Sequence, residues 1–336
     1  MSPRSSLELT REQILAFRRR VGALDERLPP GARSLRRAAW AGLQDSMPRA
    51  ALLSIHARVE HAHPGIWDDK SLVQVWGPRF SVYVVPARDQ AIFTLGRHPD
   101  DPSGRARAED LAARLYAAIA AGQISDGDLG VGPRVRYATT TGTVRIRWEG
   151  ARAPLVWIVP RPAVEPLDAR RELARRYLRV FGPGTASSFA KWAGIGAKEA
   201  RVAFHGLDLI PVRTPIGEAW IMTSDERPMR EPAQPSTAVR LLPSGDAYWL
   251  HHDGAHRELL VADGKQRAAL WTPRVWPGAV LVAGEIVGTW RRAQANLTID
   301  PWRRLSRTER ELVEAEAQSL PLPEVEGRIR VRWDAA

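Results

Sequence analysis

A repeated switch from a helical to an alternating apolar period, with the hairpin always following the helices, limits the possible folds of this chain more than any other feature. Thr10 and Gln13 have the spacing of a capping box, and Ile14, Leu15, Phe17 and Val21 then recur along one helical face, predicting a helix over residues 9–24. Pro29, Pro30 and Gly31 break it. Two shorter helices are expected over 35–43 and 50–59, after which the period drops to two at Val73, Val75, Phe80, Val82 and Val84, folded back at Gly77-Pro78. Three helices and a hairpin make the order of a winged helix.

The order recurs downstream. Residues 106–121 read as an amphipathic helix, Ser125 to Gly130 as the start of a short one, and 134–139, 143–148 and 155–159 as strands. A clearer block follows. Residues 168–181 form a helix stopped by Gly182-Pro183-Gly184, Thr185 opens a second over 186–193, Gly194 ends it, and 197–205 is a third, in a helix-turn-helix pattern. Residues 210–213 and 219–223 would be its wing. Asp225 to Ser236 is rich in proline and charge and reads as a boundary loop, beyond which strands at 239–242, 279–282, 286–292 and 327–333 accompany a helix at 306–319. The expected fold is α+β, with tandem winged-helix units and a mainly antiparallel C-terminal part, divided as 1–104, 105–166, 167–236 and 237–336. No exact repeat is present in the text of the sequence.

Bulk properties narrow the function classes. The 336 residues are 44% hydrophobic, which is incompatible with general disorder, and no apolar run approaches the roughly 20 residues of a membrane-spanning helix. The first twenty residues lack an apolar signal-peptide core, and cysteine is absent, so the expectation is a cytoplasmic, nucleoid-associated monomer without disulfides or thiolate metal sites. Forty-nine basic residues face 38 acidic ones, a net charge of +11 that calls for a polyanionic partner. All but four of the cations (Lys70, Lys191, Lys198 and Lys265) are arginines, whose planar fork suits phosphate and guanine edges, although a GC-rich genome would give the same bias. Of the histidines, neither His61 with His63 nor His251, His252 and His256 has a persuasive metal-ligand spacing. No glycine-rich phosphate loop precedes a helix, so neither metal nor cofactor is expected.

Chemistry is best sought at Gln44-Asp45-Ser46, followed by Met47-Pro48-Arg49 and an apolar helix. From the residues alone this run also reads as a polar helix cap, with Pro48 in the first turn. The run nevertheless resembles the signature of the AlkZ/YcaQ-like winged-helix DNA glycosylases, in which Gln-x-Gln or Gln-x-Asp precedes, in many members, Pro-Arg. The likeness continues in Tyr177 to Ala186 and Phe189 to Gly194, similar to that family's central helix-turn-helix, in Arg240-Leu241-Leu242-Pro243-Ser244-Gly245-Asp246-Ala247-Tyr248, and in the hairpin Val282 to Arg291. Ser46 replaces the family's Gln or Asp, and Tyr83 stands where members often carry histidine.

The resemblance implies a concave basic surface for double-stranded, alkylated DNA, with the Gln motif at its centre and metal-free base excision, crosslinks included, as its activity. Gln44 would orient the water, assisted by Asp45 or Ser46; Asp45 either supplies the carboxylate or faces away toward Arg49. A DNA-binding protein without excision activity, serving as a lesion sensor or regulator, is the alternative. Expected DNA contacts are Arg49, Arg79, Arg145, Arg147, Lys198, Arg201, Arg291 and Arg292, each of which could otherwise be an ordinary solvated or ion-paired cation. Trp76 or Trp249 is a candidate for stacking a base.

Overall fold

A computed structural model describes residues 7–120, 132–150, 153–322 and 327–334. The chain opens with β1 (Leu7–Glu8), α1 (Arg11–Val21) and α2 (Ala32–Ala38), then β2 (Leu43–Gln44) and α3 (Ala50–His56). The Thr10–Gln13 capping box forms in both directions, which satisfies two of the free amides at the start of α1. Strands β3 (Leu72–Trp76) and β4 (Val82–Pro86) fold back through a single turn of 3-10 helix at Pro78–Phe80. Next come α4 (Gln90–Thr94), α5 (Pro102–Ala120), β5 (Val144–Arg147) and β6 (Leu155–Ile158). The five strands β2-β4-β3-β5-β6 make one antiparallel sheet, on which Leu111 and Leu115 of α5 bury the apolar side of β5.

Residues 134–139 are not the expected strand but part of a 3-10 helix, Gly132–Thr141. Val135 and Ala138, three apart, are both buried against α5, and Thr140 and Thr141 donate their hydroxyls three residues back, to the carbonyls of Tyr137 and Ala138. Packing at a period of three outweighed β-branched composition. The short helix expected at Ser125 to Gly130 lies outside the described residues.

The central helices are α6 (Pro166–Phe181), α7 (Ala186–Ala193) and α8 (Ala197–His205), followed by the hairpin β7 (Leu209–Thr214) and β8 (Gly217–Met222). Strand β1 adds to β7 in parallel, so the first described residues complete the sheet of this later block. Gly194 adopts φ 70° at the end of α7, and a Cβ there would stand 2.9 Å from the Arg79 Cα, so only glycine permits the turn and the close approach together. The boundary loop contains a short helix, α9 (Glu226–Arg230).

The C-terminal part comprises β9 (Val239–Leu242), α10 (Gly254–Leu260), α11 (Gly264–Leu270), β10 (Gly278–Val282), β11 (Glu285–Ala293), β12 (Asn296–Pro301), α12 (Arg307–Gln318) and β13 (Arg330–Trp333). Its sheet runs β13-β12-β11-β10-β9, antiparallel except that β13 lies parallel to β12. Val313 and Ala317 of α12 close one face of it. The molecule is thus α+β with three mostly antiparallel sheets. Trp76 and Trp249, expected as possible stacking platforms, are 1% and 0% exposed inside separate cores and are out of reach of a base.

A buried ion pair joins the first block to the last. After β9 the chain turns at Gly245, and the next residue, Asp246, takes a bidentate pair from Arg58 at 2.7 Å on each oxygen and a 2.6 Å hydrogen bond from the Ser54 hydroxyl. Both charged side chains are at most 3% exposed, so each supplies the hydrogen bonds and opposite charge that water would otherwise give the other. Replacing Asp246 with Ala strands Arg58 and is expected to cost about 3–5 kcal/mol in urea unfolding, while adding Arg58→Met should recover part of that loss.

Candidate functional site

Strand alternation divides the Gln44-Asp45-Ser46 triplet. Gln44 lies opposite Tyr83, and the Asp45 amide donates to the Val82 carbonyl, so the backbone stays extended through Asp45. Successive side chains therefore point to opposite sides. The half-buried Gln44 and the exposed Ser46 lie on one side, joined by a 3.1 Å hydrogen bond from Gln44 Nε2 to Ser46 Oγ.

Asp45 points inward and is 1% exposed. Its Oδ1 accepts from the Ala51 amide at 2.9 Å, near the start of α3, and its Oδ2 accepts from Gln74 Nε2 at 2.8 Å. Gln74 is itself held by the Trp148 backbone, accepting from its amide at 2.7 Å and donating to its carbonyl at 3.3 Å. Removal from water pushes the Asp45 carboxyl up to about 7, a rise the two hydrogen bonds and nearby Arg49 and Arg147 only partly oppose. The triplet therefore puts an amide and a hydroxyl on the accessible side and a carboxyl in the scaffold.

One element closes on Gln44, and two guanidinium groups lie near the inward-facing Asp45. The Gly245 turn, at φ 72°, comes so near that a Cβ would lie 3.2 Å from the Gln44 Cδ and Oε1, so a larger residue there would press directly on the amide. Arg49, in a left-handed conformation at φ 66°, does not pair with Asp45 but lays its guanidinium over Trp67, 4.5 Å from the ring centre. Arg147 reaches the same ring at 5.1 Å and pairs with Asp68 at 2.8 Å and Glu149 at 3.2 Å.

The remaining basic candidates fall into other neighbourhoods. Arg79 is exposed and donates to the Lys191 carbonyl on α7 at 3.2 Å. Lys198 and Arg201 project from the exposed side of α8, whose Ala200 and Ala203 face the core. Arg145 shares a side of β5 with Arg147, but it donates to the Gln90 amide oxygen, and partial burial lowers its pKa. Arg291 and Arg292, on β11, donate to the carbonyls of Val275 and Gln294. The structure thus brings Gln44 and Ser46 together, sets Arg49 and Arg147 over Trp67 near the inward-facing Asp45, groups Arg79 with the α7–α8 unit, and leaves Arg291 and Arg292 on the C-terminal sheet.

Among the described residues, His251, Asp253 and His256 also converge, with ligand atoms within 4.8 Å of one another. Their polar atoms are already engaged: His256 Nδ1 lies 2.8 Å from Asp253 and its Nε2 2.8 Å from the Pro183 carbonyl, while His251 Nε2 is 3.3 Å from the Arg18 guanidinium. Gly245 beside Gln44, and Gln74 and Trp67 on the Asp45 side, were not singled out as site residues from sequence. Gln74 did carry a signal, being a polar residue between Val73 and Val75 in an otherwise apolar strand.

An α+β scaffold that buries the middle residue of a Gln-x-x triplet and presents the other two defines a class, and the comparisons give it a family. The model of DNA glycosylase AlkZ-like proteins matches residues 35–321, and the chain belongs to that family. It is similar to an interstrand DNA cross-link repair glycosylase of Streptomyces sahachiroi, 28% identical over 174 residues, an alignment covering 50% of this chain and 46% of that relative. The structure resembles that of the DNA glycosylase AlkZ from Streptomyces sahachiroi with a TM-score of 0.77 at 20% identity, covering 98% of this chain and 100% of the other, which establishes the shared fold. Among the described residues no helix is long and apolar enough to cross a membrane.

The raised pKa of Asp45 has a measurable sign. Its stabilising protonated form is fully present below the unfolded-state value near 4, and the contribution is lost as pH rises through about 7. Asp45→Asn cannot titrate. Urea unfolding at pH 4.5 and pH 7.5 should show the stability difference between variant and wild type moving in favour of the variant by a few kcal/mol, flattening above pH 8.

Proposed function

We propose that this chain hydrolyses the N-glycosidic bond of alkylated bases in duplex DNA, with Gln44 orienting the attacking water. The observation that carries the proposal is the disposition of the Gln44 amide. Its Nε2 is given to Ser46, its Oε1 has no protein hydrogen bond among the described residues, and glycine at 245 spares that oxygen a Cβ that would stand 3.2 Å from it. Oε1 can therefore accept a hydrogen bond from water and turn the water oxygen toward the sugar C1′, the proton that the water loses on attack passing to bulk solvent. The C1′–N bond breaks as the new C1′–O bond forms, and its electron pair neutralises the positive charge of the alkylated base. The leaving group needs no strong acid, so a neutral amide suffices where hydrolysis of an ordinary glycoside requires a pair of carboxyls.

Ser46 would hold the amide in that orientation. Asp45 would act through the backbone of α3 rather than on the sugar, since its carboxyl is enclosed by Ala51 and Gln74. Arg49 and Arg147 would supply positive charge near the triplet, close to Asp45, and Arg79, Lys198 and Arg201 a second basic region for the DNA backbone; Arg145, Arg291 and Arg292 are proposed as further phosphate contacts. The helix–helix–helix–hairpin order of α6–α8 with β7 and β8 supports reading 167–236 as a winged helix, one of the tandem units proposed over 1–104, 105–166, 167–236 and 237–336. The proposed working form is a monomer in the cytoplasm.

The inward-facing carboxyl of Asp45 also favours a second reading, a DNA-binding lesion sensor without excision, because Ser46 alone then stands where the family carries a stronger group. Release of 7-methylguanine from alkylated duplex DNA separates the two. The wild type is expected to release the base, and Gln44→Ala to release it about 100-fold more slowly with duplex affinity within about threefold. Binding without release by the wild type would establish the sensor; equal release by both proteins would remove Gln44 from the reaction.

A further inference from the structure

A cavity of about 460 Å³ opens between α1, α2 and the C-terminal end of α6, and none of the residues lining it is acidic. Its basic groups differ in what answers their charge. Arg58 pairs with Asp246 and Arg179 with Asp225, while Arg88 lies 3.8 Å from Asp89. The side chains of Arg33, Arg36 and Arg37 form no hydrogen bond or ion pair among the described residues. They stand at i, i+3 and i+4 of α2 and so crowd three like charges onto one side of a two-turn helix. Arg18 projects from α1 into the same wall. It is 2% exposed, held by the carbonyls of Phe181 and Gly182, and meets no carboxylate among the described residues.

Three guanidinium groups without an acid partner on α2, beside the buried Arg18, repel one another and raise the local potential, an arrangement that a folded chain relieves by taking up an anion. Arginine forks match phosphate oxygens in pairs, and the volume exceeds the need of one phosphate while lying within the range of small-ligand pockets. Gly42, two residues before Gln44, and Ala247, two residues after Gly245, form part of the wall, so the cavity adjoins the Gln44 site without including its side chain. We infer that this cavity is a phosphate-binding site for two adjacent phosphates, supplied either by a nucleic-acid strand or by a free nucleotide-like ligand. The inference does not depend on base excision, and absence of 7-methylguanine release would leave it intact.

Calorimetric titration of the full chain with inorganic pyrophosphate at low ionic strength tests it. Saturable binding at one equivalent is expected, unchanged in the surface control Arg114→Gln and at least tenfold weaker in Arg36→Gln/Arg37→Gln, whose fold is checked by circular dichroism and thermal melting. No saturable binding by the wild type, or equal affinity in the double variant, would overturn the assignment. The single variant Arg33→Gln, at an exposed position, keeps the test decisive should the double variant misfold; it should weaken pyrophosphate binding several-fold, and no change would count against the site. Pyrophosphate that displaces a labelled duplex identifies DNA as the source of the phosphates, whereas simultaneous binding of both identifies a small phosphorylated ligand.

Discussion

The pair between Arg58 and Asp246 governs the geometry around the candidate site. It joins the segment just after α3 to the turn just after β9, nearly two hundred residues apart, and it does so without solvent. Breaking one partner would leave a bare charge in the interior, so loss of either side chain alone costs far more than loss of a surface pair. Because Gly245 immediately precedes Asp246, the pair also sets how closely that turn approaches Gln44. One buried interaction thereby supports both the scaffold and the space in front of the amide.

The second organising element is the alternation at 44–46. An extended backbone sends adjacent side chains to opposite faces, so the same three residues build the interior and the accessible surface. Asp45 joins α3 to β3 through Ala51 and Gln74, while Gln44 and Ser46 are left to each other. Burial raises the Asp45 pKa because no cation pairs with it directly, while Asp246 takes a bidentate hydrogen bond from Arg58. Two aspartates of one sequence thus play structurally different parts according to whether a guanidinium meets them.

Local patterns were legible where one period dominated. The capping box at Thr10, the helices α6 to α8 with their glycine stops, and the β3–β4 hairpin all follow from spacing and turn chemistry. The pattern misled at 134–139, where β-branched and aromatic composition hid a three-residue spacing that became decisive only against α5. It was silent on β1, whose two residues acquire their partner from β7 some two hundred positions later, and on β12, α10 and α11. The tryptophans show the same limit. Trp76 and Trp249 looked like stacking candidates by residue type, yet only packing revealed that both are enclosed, while Trp67 lies under two guanidinium groups.

By itself the sequence determined the α+β class and the strong positive charge, and it singled out Gln44-Asp45-Ser46 as the candidate site, because these rest on composition, local period and a motif contiguous in the chain. The tertiary structure alone decided which member of the triplet faces solvent, which arginines are answered by acids, and which remain bare around the cavity beside α2. Those outcomes depend on partners brought together from distant positions. Burial and pairing are properties of such meetings, and no single stretch of sequence contains both sides of one.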